Sequence, residues 1–528
     1  MLRFLLIFLV LTFSIPVQQT VEPEFDILIQ NGRLLDGTGN PWIQRDIAIT
    51  GNRIAAIGRI ESDRANKVID AKGLYVAPGF IDTHSHAASG LSDSELSSAR
   101  PLLAQGISTV IVNPDGNGAV DLPAQQKRLL EHGLGVHVAQ MIPHGAIRNQ
   151  VMGMDDRAPT QEELKKMLSL AADGMKAGAV GMSTGLFYAP ASFSQTDEII
   201  EFARVIQKYD GVHQSHIRDE SSYSVGLIAA VQEIIEISEA TGITGIVSHI
   251  KALGPEVWGK SEEVVKNINH ARYIKGLEIF ADQYPYEASA TGLMAALIPR
   301  WAAAGGRSAF LERIADNETR SEIITGINEN LERRGGADRI VMRHVPFNHD
   351  LEGVSLQLIS ESLDLNPAEA TLSLLEQGTP GIVSFNMHEQ DIERFMVQPW
   401  VMTASDGGFV AKGEGVPHPR NYGSFPRRIR VYTLERQVTD LASTIRSMTS
   451  LPAAVYRLPE RGLIKAGYMA DIVIFDPETI RDNATFTDPH QLSSGVVWML
   501  INGEPAIRNR EFTGARAGEI LYRHGSSD

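Results

Sequence analysis

Gly79-Phe-Ile-Asp82-Thr-His84-Ser-His86 is the stretch that decides how this chain is read. Residues 80–84 form a short apolar strand that runs into two histidines. Residues i and i+2 on a strand share a face, so both imidazoles point the same way. Downstream of Gly79, apolar strands alternate with helical stretches. Seven more candidate strands follow, at 109–112, 136–142, 179–183, 212–216, 245–249, 278–283 and 401–405, with helical patterning at 161–177 and 224–240 between them. Regular alternation argues for a parallel sheet, and eight strands for a closed barrel. The expected fold class is α/β, a (β/α)8 TIM-like barrel.

On either side the rhythm changes. Residues 25–76 hold Phe25-Asp-Ile-Leu-Ile-Gln before the turn Asn31-Gly32, and a hairpin pattern around Gly51-Asn52. Residues 455–528 return to short strands at 470–475 and 496–501. These two ends are expected to pair into one flanking β-sandwich beside a barrel of residues 77–454. The stretch 290–380 breaks the barrel rhythm with Arg-, Glu- and Gly-rich pieces and reads as an inserted subdomain. Residues 382–386 look like an extra strand without an evident place.

The chain has 528 residues, 43% hydrophobic and 21% charged, which suits a globular protein with a sizeable core. Asp and Glu outnumber Lys and Arg by 64 to 48, a net charge of −16 that opposes nucleic-acid binding. There is no cysteine, so disulfides, thiolate nucleophiles and Cys-ligated zinc are excluded. After Met-Leu-Arg, residues 4–17 are nearly all apolar. That length is short for a bilayer span and resembles the core of a secretory signal, so residues 1–20 are expected to direct export to the periplasm or medium, or to remain as an N-terminal anchor. No other stretch is long and apolar enough to span a membrane. Oligomeric state is not legible.

Catalytic groups of such barrels sit at the C-terminal ends of the strands. Strand 1 ends in His84 and His86, strand 5 in His216, strand 6 in His249 followed by Lys251, and strand 8 in Asp406. His216 and His249 lie 33 residues apart, and His84 and Asp115 31 apart, each one strand–helix step. Singly these residues have plain readings: His-x-His is a weak motif, Asn113-Pro-Asp115-Gly is a turn, and Asp406 before two glycines is a turn or cap. Together they put four imidazoles and two carboxylates on one rim, a donor set suited to zinc or a similar divalent ion. His144, after strand 3, is a candidate to support the site from behind.

Val76-Ala-Pro-Gly-Phe-Ile-Asp-Thr-His-Ser-His86 resembles the opening strand of the amidohydrolase superfamily, and Gly462-Leu-Ile-Lys-Ala-Gly-Tyr-Met-Ala-Asp-Ile-Val-Ile-Phe-Asp476 its closing strands. Gly185-Leu-Phe-Tyr188-Ala-Pro, Ser215-His-Ile-Arg-Asp-Glu220, Ser248-His-Ile-Lys251, Ala281-Asp-Gln-Tyr-Pro-Tyr286, Ser405-Asp-Gly407 and His418-Pro-Arg420-Asn-Tyr-Gly-Ser-Phe-Pro-Arg427 are similar to blocks of the N-acyl-D-amino-acid deacylase (D-aminoacylase) family. The resemblance implies a barrel with a flanking sandwich and an insertion after strand 7. It implies one or two zinc ions, with His84 and His86 as one metal pair, His216 and His249 as the other, and Asp406 as acid/base and ligand; Asp115 is added to that set by its spacing from His84. Tyr188, Lys251 and Arg420 match positions that hold the substrate carboxylate. The implied reaction removes the acyl group from an N-acyl-D-amino acid, a small-molecule substrate. A related hydrolase of cyclic amides, D-residue dipeptides or other acylated amino acids is the alternative, and an inactive barrel scaffold a remote one. A carbohydrate-active barrel would leave the histidine rim without a role. One departure is Asp115, where many of these deacylases carry a cysteine. Another is that strand 4 offers no lysine for carbamylation. The apolar run after Thr291 would favour hydrophobic D-residues if it bordered the substrate pocket.

Overall fold

Eight apolar segments pair in strict chain order, each parallel to the next, in the computed structural model, which describes residues 23–523. The signal or anchor expected at 1–20 lies outside the described residues. The barrel strands are β1 (Phe80–Asp82), β2 (Ile107–Val112), β3 (His137–Pro143), β4 (Gly181–Gly185), β5 (Val212–His216), β6 (Thr244–Val247), β7 (Ile279–Gln283) and β8 (Val401–Thr403). All eight overlap the segments marked in the sequence, with ends shifted by at most two residues. Most are buried on both faces, as continuous apolar runs require when helices cover the outside. Helix Gln161–Lys176 starts at a capping box: the Thr160 side chain accepts from the Glu163 N–H, and Glu163 reaches back to the Thr160 N–H. The second expected helix begins at Leu227, three residues late, because the Asp219 carboxylate takes the amides of Ser224 and Gly226 and holds them in a loop.

The seam between β8 and β1 closes just beyond the strands themselves. The Asp406 N–H donates to the His84 carbonyl at 2.9 Å, and Gly407 and Gly408 pair in parallel with Ser85 and His86. The barrel's last joint is therefore made from the residues of its rim.

Between β7 and β8 stands an insertion built on a three-stranded antiparallel sheet, Ala288–Gly292, Ile340–His344 and Gly381–Phe385. The strand that had no evident place in the sequence is its central member. This layer has its own core, including Leu293, Leu297, Phe310, Ile323, Ile340, Met342 and Leu372.

The N- and C-terminal segments meet in a seven-stranded sheet, where Tyr75–Pro78 pairs antiparallel with Ile472–Phe475. A four-stranded sheet from the N-terminal segment packs on it through Ile27, Ile47, Ile49, Val76, Ile472 and Trp498. Barrel and sandwich are joined by buried charge. The Asp471 carboxylate pairs with Arg461, meets His137 Nε2 at 3.0 Å at the start of β3, and accepts the Asn502 N–H at 2.8 Å. Among the described residues, no helix is long and apolar enough to cross a membrane.

Candidate active site

His84 and His86 lie two and four residues past Asp82, the end of β1, and both imidazoles turn into the mouth. Asp115 Oδ1 is 3.3 Å from His84 Nε2, and its Oδ2 is 3.4 Å from His86 Nε2. Asp406 Oδ1 is 3.2 Å from His86 Nε2 and 3.6 Å from His84 Nε2. From the other side, His249 Nε2 and His216 Nδ1 come within 3.5 and 3.8 Å of Asp115 Oδ1, and within 2.9 Å of each other. The rings of His84 and His249 are 4.8 Å apart, so the two histidine pairs share one centre.

Backbone strain holds this cluster. Asp115, His249 and Asp406 all have positive φ, at 55°, 34° and 49°. Non-glycine residues take that region at a cost, and such outliers gather at functional sites. Asp115 is thus a turn residue, as the sequence suggests, but a turn that aims its carboxylate between both histidine pairs.

A second layer fixes the imidazoles, and the sequence reading passed over it. The Asp82 carboxylate accepts the N–H groups of Ser405 at 2.8 Å and His84 at 3.3 Å, tying β1 to the residue before Asp406. Burial raises its pKa to about 6 against those hydrogen bonds. Asp282 accepts the His249 N–H at 2.6 Å, and Gln214 Nε2 donates to Asp282 Oδ2 at 2.8 Å and to the Thr83 carbonyl at 2.9 Å. Gln214 sits two residues before His216 on one strand face, and Asp282 near the end of β7. Listing the end of every strand, rather than only those bearing histidine, would have found Asp282; Gln214 is signalled only by its i, i+2 spacing to His216 on a strand already marked.

Glu220 is a further omission. Its carboxylate meets Lys251 Nζ at 2.6 Å and His249 Nδ1 at 3.0 Å. Arg420 Nη1 pairs with Asp406 Oδ2 at 2.7 Å, while Arg420 Nε is buried without a partner. Tyr188 Oη lies 3.3 Å from Thr291 Oγ1, and its ring 4.6 Å from that of His216. His418 Nδ1 accepts the Arg420 N–H at 3.0 Å and so orients the start of helix Arg420–Arg427. Tyr188, Lys251 and Arg420 all line one cavity of about 330 Å³ with His86, Asp115 and Asp406, at the small end of ligand sites. His144 does not join them: it is buried off the cavity, 2.9 Å from Glu198. The apolar run after Thr291 does not border the cavity with its bulk either. Leu293, Ala296 and Leu297 point into the insertion's own core, and the wall is made by Ser289, Ala290, Thr291 and Gly292.

Electrostatics make the centre a cation site. Burial opposes ionisation of Asp115, yet His84, His249 and His86 hold its carboxyl well below the usual range. Asp406 is likewise held low, burial being outweighed by Arg420 and the imidazoles. Burial pushes His216 down to about 3, which leaves a neutral imidazole. His84 Nε2, His216 Nε2 and Asp115 Oδ1 are buried and meet no hydrogen-bond partner, although buried polar atoms normally have one. Donor atoms of His84, His86, Asp115 and Asp406 lie within 4.8 Å of one another, and so do those of Asp115, His216 and His249. Asp115 belongs to both groups. The donor set fits zinc in one or two positions.

A parallel barrel carrying such a rim defines a metal-dependent hydrolase. The chain matches the amidohydrolase family over residues 67–507. It belongs to that family and, within it, to the D-aminoacylase branch. It is 32% identical to a D-aminoacylase of Alcaligenes xylosoxydans xylosoxydans, over 96% of this chain and 99% of the relative. It is 31% identical to the N-acyl-D-glutamate deacylase of the same organism, over 96% and 98%. The crystal structure of the Bordetella bronchiseptica N-acyl-D-glutamate deacylase, complexed with zinc and a phosphonate mimic of the tetrahedral intermediate, superposes with a TM-score of 0.81 at 31% identity, covering 94% of this chain and all of that one.

Proposed function

We propose that the protein is a zinc-dependent deacylase that hydrolyses the amide bond of N-acyl-D-amino acids, releasing a carboxylate and the free D-amino acid. The observation that carries this reading is the convergence of four imidazoles and two carboxylates, with buried donor atoms left unsatisfied. His84, His86, Asp115, His216, His249 and Asp406 would hold the metal. The chemistry a bound zinc ion supplies at such a centre is activation of water near neutral pH and polarisation of the acyl carbonyl.

The chain's own groups do the rest. The amine of an amide is a poor leaving group, so a proton must reach the nitrogen as the C–N bond breaks. Asp406, facing the centre from the end of β8, takes the proton from water and delivers it to that nitrogen, a contribution typically of about 10²–10⁴-fold. Arg420, with one N–H pair on Asp406 and Nε unspent, offers its remaining donors to the substrate's α-carboxylate beside Lys251 and Tyr188. The His249–Lys251–Glu220 chain holds one imidazole and one cation in register. The apolar N-terminus supports a site of action outside the cytoplasm.

Stereochemistry tests the reading. Zinc-loaded protein is expected to hydrolyse N-acetyl-D-amino acids, to ignore their L-enantiomers, hydantoins and dipeptides, and to lose activity on chelation. Equal rates on the L-series, or preference for a cyclic amide, would refute it.

A further inference from the structure

Four cations line the cavity: Lys251, Arg334, Arg343 and Arg420. Three of them are spoken for. Lys251 is paired with Glu220 and Arg420 with Asp406, and Arg334 Nε donates to Tyr223 Oη at 2.7 Å. Arg343 differs. Among the described residues, no acceptor takes a hydrogen bond from its guanidinium, and its Nε is buried without a partner. Burial and the neighbouring Arg420 both push its pKa down, with Asp406 and Tyr188 pulling the other way.

The backbone places this side chain. Arg343 sits at a register shift in the insertion's sheet, between Met342, paired with Ile382, and His344, paired with Gly381. Bulges of this kind re-aim a side chain and occur beside active sites. Ile340 and Met342 face the insertion's core, so Arg343 faces the other way, into the cavity. Gly381 makes the room: a Cβ there would stand 2.8 Å from Arg343 Nε. A desolvated guanidinium beside a second one and paired with no carboxylate is unfavourable, and an anion entering the cavity relieves it.

We infer that Arg343 binds a second carboxylate of the substrate, carried on the side chain of the D-residue, so that the preferred substrates are N-acyl derivatives of acidic D-amino acids. This rests on the deacylase reading and sharpens it. The α-carboxylate is held by Arg420, Lys251 and Tyr188, the scissile amide lies at the metal centre, and Arg343 supplies the third fixed point. Three points distinguish one enantiomer from the other.

The test compares N-acetyl-D-glutamate and N-acetyl-D-aspartate with their uncharged isosteres, N-acetyl-D-glutamine and N-acetyl-D-asparagine, on the wild type and R343M. The wild type is expected to favour an acidic substrate in kcat/KM by about 10²-fold, the worth of one or two charge-assisted hydrogen bonds. R343M should lose that preference and keep its rate on the amides within a few fold, while R343K restores part of it. Glutarate and pentanoate binding to the zinc-loaded proteins, measured by calorimetry, gives a readout independent of turnover. The wild type should bind glutarate at least about tenfold more tightly, and R343M should not discriminate. Equal turnover of acid and amide by the wild type, or an R343M variant that lowers both alike, overturns the assignment of Arg343 and leaves the deacylase in place. No turnover of any N-acyl-D-amino acid overturns the deacylase reading instead; glutarate binding indifferent to R343M would then remove the anion site as well.

Discussion

Replacing Asp406 by Asn separates proton transfer from every other job of that residue. The side chain is buried, 2.7 Å from Arg420 and 3.2 Å from His86. Asn keeps its shape and one oxygen, so Arg420 retains an acceptor, but the charge and the capacity to carry a proton are gone. Weakening a buried charge-assisted hydrogen bond costs about 1–3 kcal/mol of stability, which a chain of this size can bear. Loss of general acid–base catalysis removes about 10²–10⁴ in rate, or roughly 3–5 kcal/mol of transition-state stabilisation. The two effects are read by different instruments. Thermal unfolding should show a folded protein with a lowered midpoint. Elemental analysis should show metal still present, since His84, His86, Asp115, His216 and His249 are untouched. Steady-state kinetics on the preferred N-acetyl-D-amino acid should show kcat and kcat/KM falling together, the pattern of an interaction made only in the transition state. A folded, metal-loaded D406N with kcat within tenfold of the wild type would remove Asp406 from the chemistry.

Two further outcomes follow from the geometry. Asp115→Ala removes the carboxylate common to both donor groups, so metal content should fall at both positions, together with activity; an unchanged metal-to-protein ratio would return Asp115 to a turn residue. Asp471 controls the acid stability of the joint between barrel and sandwich. Burial works against its charge, but His137 and Arg461 hold its carboxyl well below the usual range. A depressed folded-state pKa means that the stabilisation is complete above the unfolded value of about 3.9 and is lost as pH falls below it. D471N should therefore lose about 1–3 kcal/mol at pH 7, since Arg461 loses its buried carboxylate but keeps the half-exposed Glu519, and its unfolding free energy should fall less than the wild type's between pH 7 and pH 3. Urea titrations at the two pH values decide it; parallel losses would show that Asp471 does not govern the acid limb.

Much of this protein is local pattern, and local pattern is legible. Eight apolar runs, the first seven separated by strand–helix steps, specify a parallel barrel, because only strands covered on both faces can be apolar throughout. The rim histidines are legible for the same reason: a strand's last residue is at the mouth whichever way the barrel is turned. So Phe80-Ile-Asp-Thr-His-Ser-His, read alone, already indicates where the chemistry lies, and the family follows from the blocks around it. What tertiary structure alone decided are relations between segments far apart in the chain. Asp406 closes the seam against His84 across more than 300 residues, and Asp115 takes a left-handed backbone that aims it between two histidine pairs. The segment 381–385 becomes the middle of a sheet whose neighbours are 288–292 and 340–344. Arg343 reads in sequence as one more charge in an arginine-rich insertion. Its meaning comes from a bulge, a glycine opposite and a guanidinium that, among the described residues, no carboxylate pairs with. A sequence records which charges a chain carries; which of them is left uncompensated depends on packing in three dimensions.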